Sequence, residues 1–155
     1  MGRFWVDVII LFLGGALASS SFILAKKPNA KDLFAKVAPY QGTIGVIMFL
    51  WGIWDIIWIV MNMGMFTLFL AVPLITWKIT AVMMIVTAIV QLVLGFLLGF
   101  GMIQAFAAKK NPAAAAKSEA VMKKLAPHQT WLGFLAMACA IWLVLFVVVF
   151  SKVVG

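Results

Sequence analysis

The sequence predicts an all-α integral membrane protein of four transmembrane helices, arranged as two tandem parallel helical hairpins with short interfacial helices on the cytoplasmic side. Three observations predict it: composition, four long apolar runs and an internal repeat. Of the 155 residues, 66% are hydrophobic and 10% charged, and the mean hydropathy is +1.20. An ordinary water-facing surface needs more charge than that, so lipid is the expected solvent for most of the chain. Helices and closed barrels are the structures that satisfy their backbone hydrogen bonds in lipid, and the alternating polarity of barrel strands is absent.

The first apolar run covers residues 4–25. Arg3 before it and the small residues after it resemble a secretory signal, but the segment has a counterpart later in the chain, which argues against removal. Gly2 does not make a myristoylation site, because Val6 stands where that motif wants Ser or Thr. The second run covers residues 43–63, the third 79–108 and the fourth 131–150. About 20 residues suffice to cross a hydrocarbon core of roughly 30 Å, so each run is long enough.

Nine of the twelve basic residues fall in two connections. Lys26, Lys27, Lys31 and Lys36 lie between the first two runs, and Lys109, Lys110, Lys117, Lys123 and Lys124 between the last two. Both connections are expected on one side of the membrane, and the positive-inside rule makes that side cytoplasmic with both termini outside. The compact design suggests a bacterial inner membrane. The formal charge of +8 follows from this topology; the lysines are not interleaved with a stacking surface, so nucleic acid is not an expected partner. Lipid headgroup phosphates are the expected contacts of Lys26, Lys27, Lys36, Lys109, Lys110, Lys123 and Lys124.

The repeat is visible residue by residue. Lys36-Val37-Ala38-Pro39-Tyr40-Gln41, Gly45 and Ile53-Trp54 recur 88 residues later as Lys124-Leu125-Ala126-Pro127-His128-Gln129, Gly133 and Ile141-Trp142. Lys26-Lys27 and Lys109-Lys110 are 83 apart, so the second copy carries an insertion of five residues. Each copy holds an even number of spans, which makes the copies parallel and related by a pseudo-two-fold axis along the membrane normal. The first hairpin covers residues 1–63, an apolar outer connection 64–78 and the second hairpin 79–155. Asn29 and Asn111 are placed to cap surface helices, which Pro39 and Pro127 would end as they open the next span.

Residues 64–77 are almost wholly apolar, too short for a further span and longer than a turn requires. Phe66 and Phe69 mark this segment as a surface to be covered by lipid or by another chain.

Asp55 reads as the one acidic residue well inside a span, where a carboxylate costs at least about 2.5–3.5 kcal/mol. It shares a helical stripe with Trp51, Trp54, Trp58 and Asn62, and its depth matches that of Gln91, so the two are expected to hydrogen-bond between helices. Gly14, Gly15, Ala18 and Ser19, with Gly95 and Gly99, form small-residue surfaces for close helix packing or assembly. The few polar residues assemble no nucleophile with a base, no carboxylate pair and no metal cluster, so no enzyme activity, cofactor or metal is expected. Two functional expectations remain. The first is a noncatalytic structural or accessory subunit, joining copies of itself or other membrane subunits through apolar helix faces. The alternative is a small ion or proton channel or transporter using Asp55 and Gln91, with Gln104 further along the same span.

Overall fold

The computed structural model describes the backbone of residues 2–73, 75–110 and 112–154. Side-chain surroundings are described for these except at residues 21, 38, 76, 103, 105–110, 112–115, 117–119, 122, 126 and 149–154. The described chain is helical and without strands: α1 (Gly2–Ala18), α2 (Ser20–Lys26), α3 (Lys31–Val37), α4 (Gln41–Met61), α5 (Met63–Ala71), α6 (Ile75–Lys110) and α7 (Pro112–Val154), with 3-10 turns at Pro28–Ala30 and Ala38–Tyr40.

Among the described residues, three helices are long and apolar enough to cross a membrane: α4, the Trp77–Met102 part of α6 and the Pro127–Val148 part of α7. The run at 4–25 is instead divided between α1 and α2 at Ser19. There the Ser19 hydroxyl donates to the Gly15 carbonyl at 2.9 Å, one turn back. Such back-bonding competes with the helical ladder and bends it. The same hydroxyl reaches the Thr130 carbonyl of α7 at 3.4 Å, so the bend is also a docking point.

Two helix pairs carry the tightest packing, α4 with α6 and α1 with α7, and α6 also packs along α7. Glycine permits both approaches. A Cβ at Gly45 would collide with the backbone nitrogen of Gly99, one at Gly95 with that of Phe49, and one at Gly52 would lie 2.7 Å from that of Leu92. In the other pair, a Cβ at Gly15 would lie 2.6 Å from the Gly133 carbonyl oxygen. Gly14 meets the Met48 side chain of α4, and Ala18 and Ser19 are buried. All six small residues singled out in the sequence therefore contact neighbouring helices within the chain. Leu11, Met48, Leu94, Ala136 and Cys139 fill the core between the pairs, each fully buried. In lipid, close approach gains dispersion and interhelical contact rather than hydrophobic energy, which is why small residues line these seams.

The lysine-bearing connections lie at one end of the bundle, where Phe22 of α2 packs edge-on against Phe134 of α7 at 5.2 Å. Asn29 does not cap a helix; it sits within a 3-10 turn opened by Pro28, and the N-cap position is Lys27 with no side-chain bond. Pro28 pre-sets the turn, so the cap is not needed to start it. Pro39 lies in the turn preceding α4, as its fixed φ favours. Pro127 does not begin a new helix: α7 runs through it for 43 residues. The ring removes one ladder bond, and Pro127 is exposed, where the freed carbonyl is not trapped in the core. Asn111 lies outside the described residues, and so do the side chains of Lys109, Lys110, Pro112 and Lys117.

At the opposite end, Asn62 separates α4 from α5, its side-chain amide donating to the Trp58 carbonyl at 2.8 Å. The apolar outer connection folds back as α5 and buries Phe66. A run of rings continues across four helices: Trp58 to Phe66 at 6.3 Å, Phe66 to Phe69 at 6.4 Å, Phe69 to Trp77 at 5.0 Å and Trp77 to Phe146 at 6.1 Å. Phe66 and Phe69 thus find their cover within the chain, whereas Leu68, Leu70 and Ile75 remain exposed. Val72 takes an extended conformation before Pro73, as the proline ring demands, and ends the segment.

Candidate polar cluster between the helices

Asp55 is not the one acidic residue inside the bundle. Asp7 of α1 is buried as well, and the two carboxyl groups lie close enough to interact. The sequence carried a signal for this: Arg3 and Asp7 stand four residues apart, on one face of α1. Reading residues 4–25 as a uniformly apolar run hides Asp7.

Each carboxylate has its own donors. Arg3 Nη2 donates to Asp55 Oδ1 at 2.5 Å, which joins the first turn of α1 to α4. The guanidinium also lies over the Trp58 ring, 4.0 Å from its centroid, where the ring's negative face favours a cation. Trp51 Nε1 donates to Asp7 Oδ1 at 2.6 Å, and Gln91 Nε2 of α6 donates to the same oxygen at 3.3 Å. Gln91 therefore bonds Asp7 rather than Asp55. The expected pairing fails because the Asp7 carboxylate, on α1, takes the amide.

Charge-assisted bonds of this kind lower the cost of carrying carboxylates at membrane depth. Asp55 stands six residues before the end of α4, roughly 9 Å along the helix from its terminus. The cluster accordingly occupies the half of the bundle nearer the amino terminus. The glycine contacts Gly45 to Gly99 and Gly15 to Gly133 close the lysine-bearing half.

A small cavity of about 60 Å³ lies within the cluster, lined by Arg3, Asp7, Asp55, Trp58, Thr87 and Leu143 among others. Two of its lining residues carry a buried polar atom without a hydrogen-bond partner by distance and angle, Arg3 Nη1 and Thr87 Oγ1, and so does Gln91 Oε1 outside the lining. Buried polar atoms without partners are uncommon and costly.

The other sequence candidates lie apart from this cluster. Trp54 is exposed on the outer face of α4, and Asn62 bonds its own helix. Gln104 lies 13 residues beyond Gln91, about 20 Å along α6. Lys26, Lys27, Lys36, Lys123 and Lys124 are at the solvent-facing end, with Lys26 Nζ 4.9 Å from the Phe22 ring centroid. Cys139 is buried in α7 as a free thiol. Among the described residues, no group of three His, Cys, Asp or Glu side chains gathers. Comparison of the chain with protein families, with curated proteins and with solved structures finds no match.

Proposed function

We propose that the protein is a noncatalytic structural subunit of a membrane assembly, built as a four-span duplicated hairpin with its lysine-rich end in the cytoplasm and its polar cluster acting as an internal clasp. The observation that carries this reading is the disposition of polar and apolar groups. Arg3, Asp7, Asp55, Trp51 and Gln91 bond one another, while Leu68, Leu70 and Ile75 of the outer segment are left exposed beside them. In this reading α1 and α2 together form the fourth crossing, bent at Ser19, and α3 lies in the headgroup region.

Duplication is supported by corresponding contacts as well as corresponding residues. Gly45 and Gly133 are 88 apart, and the residues they meet, Gly99 and Gly15, are 84 apart. Asp7 and Gln91 are also 84 apart and touch each other. Two equivalent positions in contact lie on the axis that relates the copies.

A transport path through the bundle is disfavoured by the glycine seams, whose backbone contacts bring the helices together between the cluster and the lysine-bearing end. The assembly reading predicts that extraction from native membranes in mild detergent yields a homo-oligomer or a defined complex, measured as particle mass and composition. A particle of monomer mass under the same conditions, running alone in native membrane extracts, overturns it.

A further inference from the structure

We propose that the groove between α3 and the bundle holds one phospholipid with an anionic headgroup, its phosphate at Lys31 and an acyl chain along Leu17, Leu24 and Phe34. The course of the backbone makes the groove. α3 packs chiefly against its own flanking turns rather than along the long helices, and none of its residues is buried. The helix break at Ser19 and the turn at Ala38–Tyr40 stand on either side of it, and a gap of about 220 Å³ is left between it and the bundle. One water needs only about 10–15 Å³ by the same measure, so the space suits a chain-like occupant.

The lining is divided by chemistry. Leu17, Leu24, Phe34 and Ala35 supply an apolar wall, and Ser20, Lys31 and Gln41 supply polar groups. Among the described residues, none of these three polar side chains has a partner within the chain. Leu33 and Tyr40, on the same connection, are exposed, as suits a segment lying at the boundary between headgroups and acyl chains. Charge identifies the occupant. Residues 26–41 contain four lysines and one acidic residue, Asp32, and Lys123 and Lys124 lie at the same end of the bundle. The complement of that excess is a negative headgroup, which a lysine binds as a point charge, while the Ser20 hydroxyl and the Gln41 amide have hydrogens to donate to phosphate oxygens. A free anion leaves the apolar wall bare, and a neutral lipid leaves Lys31 unanswered. An anionic lipid uses both. The second copy has no corresponding turn, because α7 runs unbroken through Pro127 where the first copy turns at Pro39, so one such site is expected per chain. The site rests on the reading that places α3 in the headgroup region and is independent of assembly.

The test is native mass spectrometry of the detergent-solubilised full chain, titrated with phosphatidylglycerol or with phosphatidylcholine of the same acyl chains. Phosphatidylglycerol is expected to form a first, saturable adduct with at least about tenfold higher affinity. Lys31→Gln should weaken that adduct about fivefold, whereas Lys124→Gln, at the same end but outside the groove, should leave it unchanged. Ala35→Phe fills the groove with every lysine intact and should abolish the adduct. Both groove variants alter a helix without buried residues and are expected to keep the parent unfolding temperature. Equal affinity for the two lipids, an unchanged adduct in Lys31→Gln or Ala35→Phe, or an equal loss in Lys124→Gln overturns the proposal. Full displacement by glycerophosphate also overturns it, by assigning the anion to a free phosphate. Particle mass, which tests assembly, is read separately from the same spectra.

Discussion

In the proposed duplication, the α1–α4 half and the α6–α7 half of the bundle correspond in position and differ in chemistry. Where α1 and α4 carry Arg3, Asp7, Trp51 and Asp55, the corresponding places on α6 and α7 carry Thr87, Gln91, Cys139 and Leu143. The glycine contacts that bring α4 to α6 and α7 to α1 are alike in both. Close approach is therefore common to both halves, whereas the charges lie on one of them. That difference teaches that the polar cluster is not needed to bring the helices together. Arg3 to Asp55 and Asp7 to Trp51 both tie α1 to α4, a pair with little packing of its own, which is what the proposed clasp would hold.

The strongest way to break the comparison is through the shared seams. Gly45→Val and Gly133→Val should each destabilise the bundle by about 3 kcal/mol or more, because the new carbons meet backbone or a buried hydroxyl that cannot withdraw. A chemical denaturation midpoint for each variant checks this, and a neutral result for either would show that its pair does not pack as described.

The next largest effect separates the halves. Asp55→Leu gives α4 the residue found in α7, but leaves Arg3 without its partner, with an expected loss of about 3 kcal/mol. Adding Arg3→Met should restore most of it, as a double-mutant cycle would read. No restoration would mean that Asp55 acts through something other than Arg3.

Smaller losses sharpen the description. Trp51→Phe removes one bond to Asp7 and should cost about 1–2 kcal/mol, whereas Trp54→Phe, on the exposed face, should cost less than about 0.5 kcal/mol. At the far end of the scale, a Cβ at Gly101 meets nothing within 4 Å. Gly101→Ala should stabilise α6 by about 0.5–1 kcal/mol, a rise in the unfolding midpoint that contrasts in sign with the seam glycines.

Apolar length made the helices of the bundle legible, because a run such as 43–63 has few other ways to satisfy its backbone in lipid. The observed α4, Gln41–Met61, lies within two residues of that run at either end. The break at Ser19 was not legible, because it depends on a hydroxyl choosing between its own helix and Thr130, a residue 111 positions away. Asp55 and Gln91 were recognised as buried polar residues from depth alone. Their partners were not, since depth says nothing about rotation of one helix against another. Asp7 escaped notice for a different reason: one carboxylate in 22 residues barely lowers the hydropathy of a run, although its spacing from Arg3 marks a face. The continuation of α7 through Pro127 likewise needs tertiary support that a local rule does not contain.

The ring sequence from Trp58 through Phe66, Phe69 and Trp77 to Phe146 has an optical consequence. Neighbouring aromatic chromophores held at fixed mutual angles give strong near-ultraviolet circular dichroism, and lose it when tertiary packing loosens while helix content persists. The α5 segment therefore carries its own spectroscopic label. Whether it stays docked on its own bundle or swings onto a neighbour can be followed in the 260–300 nm region, on the order of the usual aromatic window, without any modification of the chain.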